Sequence, residues 1–295
     1  MIGDYLVPEA RSALDLPVEE RLAVIDKDIY IPHPKAEHIL DSIDRLLSRP
    51  TNGRLGMLIS GPSGSGKSTL FKVFTKKHPR VRLTDYDNIP VLRVETPEVP
   101  GGRRFLGAML EAFGLDDYDK TGFETRKIRV KKELEGCKVK LVLVDEIHNL
   151  LAGSAKLKEE TCNLLKNLTN TFNLPMVLAG TERAEHVFRY DAQLVSRFPV
   201  FRLPVWTDGK AYRLFLKMLE STIPLRQPSG LSSAELAPYI LKQSNGVLAD
   251  IVLAVKSAAR LAVLDGSEKV TIDLLKRSSF GSRQLVLSTV SVAQV

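Results

Sequence analysis

Eight consecutive residues, Gly61-Pro62-Ser63-Gly64-Ser65-Gly66-Lys67-Ser68, have the types and spacing of a loop that cradles phosphates, G-x-x-x-x-G-K-[ST]. Glycines let the backbone curl until several amide N–H groups point at phosphate oxygens, and a helix opening at the loop's end adds the positive end of its dipole. Lys67 would reach the β- and γ-phosphates, Ser68 would place a hydroxyl on Mg²⁺, and Thr69 follows it in the same turn. A second motif is Leu141-Val142-Leu143-Val144-Asp145-Glu146, four apolar residues without alternation and then two acids. Such a run suits a strand buried on both faces, with the acids at the strand end where ligands of open α/β sheets bind. Asp145 would hold Mg²⁺, usually through water, and Glu146 would orient and polarise an attacking water. Thr181 ends another apolar run, residues 175–180, where its hydroxyl could touch the γ-phosphate or that water.

These groups need a scaffold that brings strand ends together. Leu55 to Ile59 precedes the loop as a short apolar run, and Leu70, Phe71 and Phe74 begin a helix after it. Further strands are expected over 91–94, 141–144, 175–181 and 200–203. At least one helix joins each strand to the next, so the sheet should be parallel with right-handed crossovers. The fold class is therefore α/β, a P-loop NTPase with a parallel five-stranded sheet flanked by helices. Beyond Trp206 the strands stop, and helices follow, with Thr207-Asp208 and Ser232-x-x-Glu235 as candidate caps. The reading divides the chain into an N-terminal extension (1–28, an arm or partner-binding segment), a nucleotide-binding domain (29–206), a small all-helical lid (207–280) and a tail (281–295).

Bulk properties agree with a folded protein. The chain has 295 residues, 44% of them hydrophobic, enough for about two domains with real cores. No window approaches a membrane span and the first residues carry acids where a signal peptide carries Lys and Arg, so the expected place is the cytoplasm. Cys137 and Cys162 lack CxxC spacing or a histidine cluster, which argues against metal and redox roles. A net charge of +7 points to a polyanionic partner. Lysine and arginine concentrate over 72–82, at Arg103-Arg104 and over 120–140.

The order of phosphate loop, Asp-Glu strand, Thr-ended strand, Ser196-Arg197-Phe198 and helical lid resembles the AAA+ ATPases. Within them, Ile29-Tyr30-Ile31-Pro32-His33-Pro34, Gly61 to Ser68, Leu143-Val144-Asp145-Glu146-Ile147-His148, Leu178-Ala179-Gly180-Thr181-Glu182 and Gln193-Leu194-x-Ser196-Arg197-Phe198 look like the TniB/TnsC transposition regulators. That resemblance implies ATP and Mg²⁺ as cofactors, and self-assembly as rings or filaments on duplex target DNA. It also implies a DDE transposase that the assembly recruits and activates, and a target-selection protein as a further partner. Arg197 matches the family's trans-acting arginine finger, with Arg183 as a competing candidate, and Thr181 matches its first sensor. Asp250 departs from the pattern, standing about where many AAA+ proteins carry a lid arginine, so turnover should be slow. DNA contacts are expected from Arg103, Arg104, Lys120, Thr121, Arg126, Lys127, Arg129, Lys131 and Lys132, which would neutralise phosphates without reading bases.

Rival readings share the nucleotide residues. A helicase loader or replication-initiation ATPase is the nearest, although no helix-turn-helix pattern follows the lid. Asp145-Glu146-Ile147-His148 also spells a DExH box, but a second RecA-like half does not fit after residue 206. A non-hydrolysing, ATP-switched DNA scaffold differs in turnover alone. A small-molecule kinase leaves the basic stretches without a role.

Overall fold

A computed structural model describes residues 3–48, 56–84, 86–99, 101–116, 122–149, 151–152, 154–171, 174–189 and 191–278. The tail expected over 281–295 lies outside these, as do Lys120 and Thr121. The chain forms two compact units. One is Lys35–Pro204, and the other joins Met1–Pro34 to Val205–Val295.

The first unit is an α/β layer. Its strands are β1 (Gly56–Ser60), β4 (Val91–Glu95), β5 (Leu141–Asp145), β6 (Met176–Gly180) and β7 (Val200–Arg202), with a two-residue hairpin of β2 (Val81–Arg82) and β3 (Asp87–Asn88) that no sequence signal announces. All pairings in the main sheet are parallel, in the order β4-β5-β6-β1-β7. Every residue of β1, β5 and β6 is buried, which is why their sequences run apolar without alternation. β4 and β7 form the edges, and each carries an arginine.

The three opening helices of the chain are α1 (Pro8–Ser12), α2 (Val18–Asp26) and α3 (Pro34–Ser48). α3, α4 (Lys67–Lys77), α5 (Gly102–Ala112), α6 (Phe123–Gly136), α7 (Ala155–Thr171), α8 (Glu182–Arg189) and α9 (Ala192–Arg197) belong to the α/β unit. Phe105, Leu110, Val130, Leu165 and Phe188 join Val142, Val144 and Leu178 of the sheet in one core. Because the strands run in one direction, the residues that follow β1, β5 and β6 all emerge at one sheet edge.

The second unit is helical. It contains α1, a 3₁₀ turn (Ala13–Asp15), α2, α10 (Lys210–Ser221), α11 (Leu236–Ser244), α12 (Leu248–Leu264) and a last helical stretch over 272–278. The opening segment is not a separate arm ending at residue 28. Ile25 and Ile31 are buried in one cluster with Tyr212, Phe215, Ile251 and Val255. Polar ties reinforce this packing: Arg21 donates to Pro224 O at 3.0 Å and pairs with Glu268, while Lys256 Nζ donates to Lys27 O at 2.6 Å.

The helix caps also differ from the sequence reading. Ser233, not Ser232, accepts the Leu236 N–H at 3.1 Å, and Asp208 spends both oxygens on Arg213. Gly246 has no room for a side chain, since a Cβ there would lie 2.3 Å from the Trp206 carbonyl. Among the described residues no helix is long and apolar enough to cross a membrane.

Candidate nucleotide-binding site

The phosphate loop leaves β1 and turns into α4. Gly64 (φ +74°) and Gly66 (φ +97°) take the left-handed conformation that L side chains avoid, and Gly66 is the residue at the start of the helix. Gly61 is required for another reason: a Cβ there would lie 2.4 Å from the Leu203 carbonyl, just past β7. The loop is tied to the neighbouring strand by Gly61 N–H donating to Gly180 O at 3.2 Å.

Lys67 is 4% exposed, and its ammonium curls back to donate to Gly61 O and Pro62 O, each at 2.8 Å. Burial lowers its pKa, and the charges of Glu146 and Asp145 oppose that shift. The lysine therefore shares its surroundings with both acids of the second motif. β5 ends on Asp145, which is 2% exposed and accepts the Glu146 N–H at 3.1 Å on Oδ1. Glu146 itself has φ +55°, a conformation uncommon for a non-glycine residue and costing of the order of 1–3 kcal/mol. Thr96, buried after β4, holds that turn by donating to Glu146 O at 2.6 Å. Nδ1 of His148 lies 3.0 Å from Glu146 Oε2. β6 ends between β5 and β1, so Thr181 follows a strand flanked by those that carry the acids and the loop, and its Oγ1 is buried with no hydrogen-bond partner among the described residues.

These residues fit a magnesium-bound triphosphate. A left-handed glycine turn, a buried ammonium that among the described residues bonds within its own loop, the Asp145 carboxylate, the Glu146 carboxylate beside it and a hydroxyl with no partner among the described residues would supply a cradle, a cation, a metal ligand, a base for water and a donor. Gly61 to Ser68, Asp145, Glu146 and Thr181 thus gather at one edge, and Thr69 stands exposed on the first turn of α4.

Arg183 is exposed and Arg197 half-buried, and neither makes a hydrogen bond or ion pair with another described residue. Three neighbours of the site carry no role in the sequence reading. Arg93 of β4 donates from Nη2 to Asp145 Oδ2 at 3.0 Å, and the sequence hint is a charge set between the apolar Val91-Leu92 and Val94. Thr96 and His148 are the others. Beside the loop, a cleft of about 180 Å³ lies between Ser60–Pro62 and the group Glu185, Arg189 and Arg202. Glu185 is 5% exposed, and the Arg202 guanidinium, aided by Arg189 and opposed by burial, holds its carboxyl down to about 2.

The basic candidates divide. Arg103, Arg104, Lys131 and Lys132 are exposed, while Lys127 and Arg129 are half-buried. Arg126 is 1% exposed and donates from Nη1 to Arg103 O at 2.9 Å, so it is not a DNA contact. It stands on the stripe Arg126, Val130, Leu134 that α6 turns into the protein, four residues apart each time.

Several solved structures share the fold. The Aeropyrum pernix ORC2 protein in its ADPNP–ADP complexes is 18% identical with a TM-score of 0.61, and the match covers 88% of this chain and 71% of that one. Cdc6p from Pyrobaculum aerophilum gives 15% identity, a TM-score of 0.63 and coverage of 88% and 70%. The Aeropyrum pernix ORC1 protein in complex with DNA gives 14%, 0.60, and 88% and 69%. At such identities the likeness establishes the fold alone, that of an AAA+ P-loop ATPase. No curated protein matches the chain. The family described as "Bacterial TniB protein" does match, over residues 21–208, a stretch that holds the phosphate loop, Asp145, Glu146, Thr181 and Arg197. On that match the chain belongs to the TniB family.

Proposed function

We propose that this protein is an ATP-dependent regulator of DNA transposition, which binds ATP, assembles with itself on target duplex DNA and recruits and activates a DDE transposase. The observation that carries the reading is the convergence of Lys67, Asp145, Glu146 and Thr181 on one sheet edge. Membership of the TniB family supports the biological role. The likeness to an ORC2 structure with bound nucleotides and an ORC1 structure with DNA supports the ligands.

In this reading Lys67 exchanges its bonds to the loop carbonyls for the β- and γ-phosphates. Ser68 and Asp145 hold Mg²⁺, which neutralises phosphate charge when bound. Glu146 orients and polarises the attacking water, and Thr181 donates to the γ-phosphate or to that water. Arg197, or Arg183, reaches the site of the neighbouring subunit, where a guanidinium stabilises charge on the transferred phosphate. Arg103, Arg104, Lys127, Arg129, Lys131 and Lys132 neutralise DNA phosphates, so binding tolerates any sequence and falls steeply with salt. A target-selection protein directs the assembly, and the site of action is the cytoplasm.

A second reading, a switch that binds ATP without hydrolysing it, is favoured by the closeness of His148 to Glu146, which gives the carboxylate another neighbour than water. Electron microscopy of the protein on long duplex DNA with ATP, with a slowly hydrolysed analogue and without nucleotide tests the main reading. Ordered oligomers should require nucleotide, vanish in Lys67→Ala and persist in Glu146→Gln. Monomers on bare DNA under every condition refute it, and phosphate release by the wild type separates the two readings.

A further inference from the structure

The metal carboxylate already has a cation. Asp145 is 2% exposed and both its oxygens are engaged, Oδ1 by the Glu146 N–H at 3.1 Å and Oδ2 by Arg93 Nη2 at 3.0 Å. Arg93 belongs to the edge strand β4, where it pairs in register with Leu143, so its side chain reaches two residues along the sheet to find the acid. No other carboxylate pairs with it among the described residues, and its side chain is 28% exposed, which leaves it a route to solvent. Such a pair is stable while nothing else claims Asp145, because removing either partner strands a buried charge. A second cation at the same buried carboxylate meets the positive charge of the guanidinium a few ångströms away.

We propose that Arg93 is a built-in counter-ion of Asp145 that Mg²⁺ must displace, and thus a positioning residue that sets how much Mg²⁺ the nucleotide site requires. The inference rests on the ATP reading above and deepens it. In the metal-free protein Arg93 holds Asp145 in place and satisfies its charge. Metal and guanidinium then compete for one carboxylate, so by linkage whatever favours the Arg93–Asp145 pair weakens metal binding by the same factor. The freed guanidinium turns outward on the edge strand, ahead of Thr96 and the turn that carries Glu146. A neighbour that only oriented Asp145 for the metal would act in the opposite direction, since losing it would weaken metal binding.

The two roles are separated by titrating Mg²⁺ into protein with a fluorescent ADP derivative and reading anisotropy, a measurement independent of turnover. The half-saturating Mg²⁺ concentration should fall about tenfold or more in Arg93→Met and Arg93→Gln, and much less in Arg93→Lys, which keeps the charge. Nucleotide affinity in EDTA should stay within about twofold of wild type. Arg93→Gln retains a donor to Asp145, so it covers the case in which Arg93→Met does not fold. An unchanged or raised Mg²⁺ requirement in Arg93→Gln overturns the proposal. Wild-type protein that binds no nucleotide in either condition overturns the ATP reading instead.

Discussion

Replacing Gly61 by alanine should loosen the α/β unit and the phosphate loop together. The added Cβ would lie 2.4 Å from Leu203 O, 2.9 Å from Ser65 Oγ and 3.2 Å from Leu203 Cβ. The backbone contact is roughly 1 Å short of ordinary van der Waals separation, and a main-chain carbonyl cannot rotate away as a side chain can. Either the loop or the chain after β7 must move. The bonds at risk are Leu203 N–H to Ser60 O at 2.8 Å and Gly61 N–H to Gly180 O at 3.2 Å. Overpacking costs about 1–3 kcal/mol and weakening one of these bonds about 1 kcal/mol more, so the expected loss is about 2–4 kcal/mol. That is a large share of the stability of a domain this size, and at about 2–4 °C per kcal/mol the melting temperature should fall by several degrees. Urea unfolding gives the stability, and fluorescent-nucleotide binding below the transition reports the loop. Gly136→Ala is the control. That glycine ends α6 with nothing within 4 Å of an added Cβ, so alanine should be neutral or stabilise by up to about 1 kcal/mol. A Gly61→Ala protein as stable as wild type, with equal nucleotide affinity, would refute the steric argument.

Four further outcomes are expected. Arg126→Ala should lower stability by about 2–4 kcal/mol in urea unfolding, because it empties a buried site and leaves Arg103 O without its donor. Lys132→Ala should instead keep stability and reduce the slope of log affinity against log salt for duplex DNA by about 1. Arg21→Ala should cost about 3–5 kcal/mol in the helical unit, since Glu268 and Pro224 O lose a partner that is 4% exposed; a change under about 0.5 kcal/mol would show the pair to be idle. Glu185 sets an acid limit. Its folded pKa, about 2, lies below its ordinary value of 4.5, so its contribution is complete above pH 4.5 and disappears as pH falls towards 2. Acid-unfolding curves of wild type and Glu185→Gln should therefore differ most above pH 4.5 and converge near 2, and parallel curves would contradict the pairing with Arg202.

Much of the site was legible before any fold was known, because its signals are local. The phosphate loop needs only contiguous backbone with glycines at fixed offsets, and the buried strands need only apolar runs. The parallel sheet followed from the helices between those runs, and its edge collects Lys67, Asp145, Glu146 and Thr181. The partners of these residues were not legible. Arg93 meets Asp145 only because β4 lies beside β5 in a register that offsets the two by one pleat, and no count along the chain contains that register. Arg126 looked like its basic neighbours until α6 was seen to turn one stripe inward, which composition cannot choose when the stripe itself carries a charge. The opening helices carried too weak a periodicity to show that they join the helical unit, for Ile25 and Ile31 find their partners across some two hundred residues of chain. Local backbone chemistry thus determined what this protein can bind. Strand register and the direction of each helix face, set by long-range packing, decided which charges restrain that site and which remain exposed at the surface.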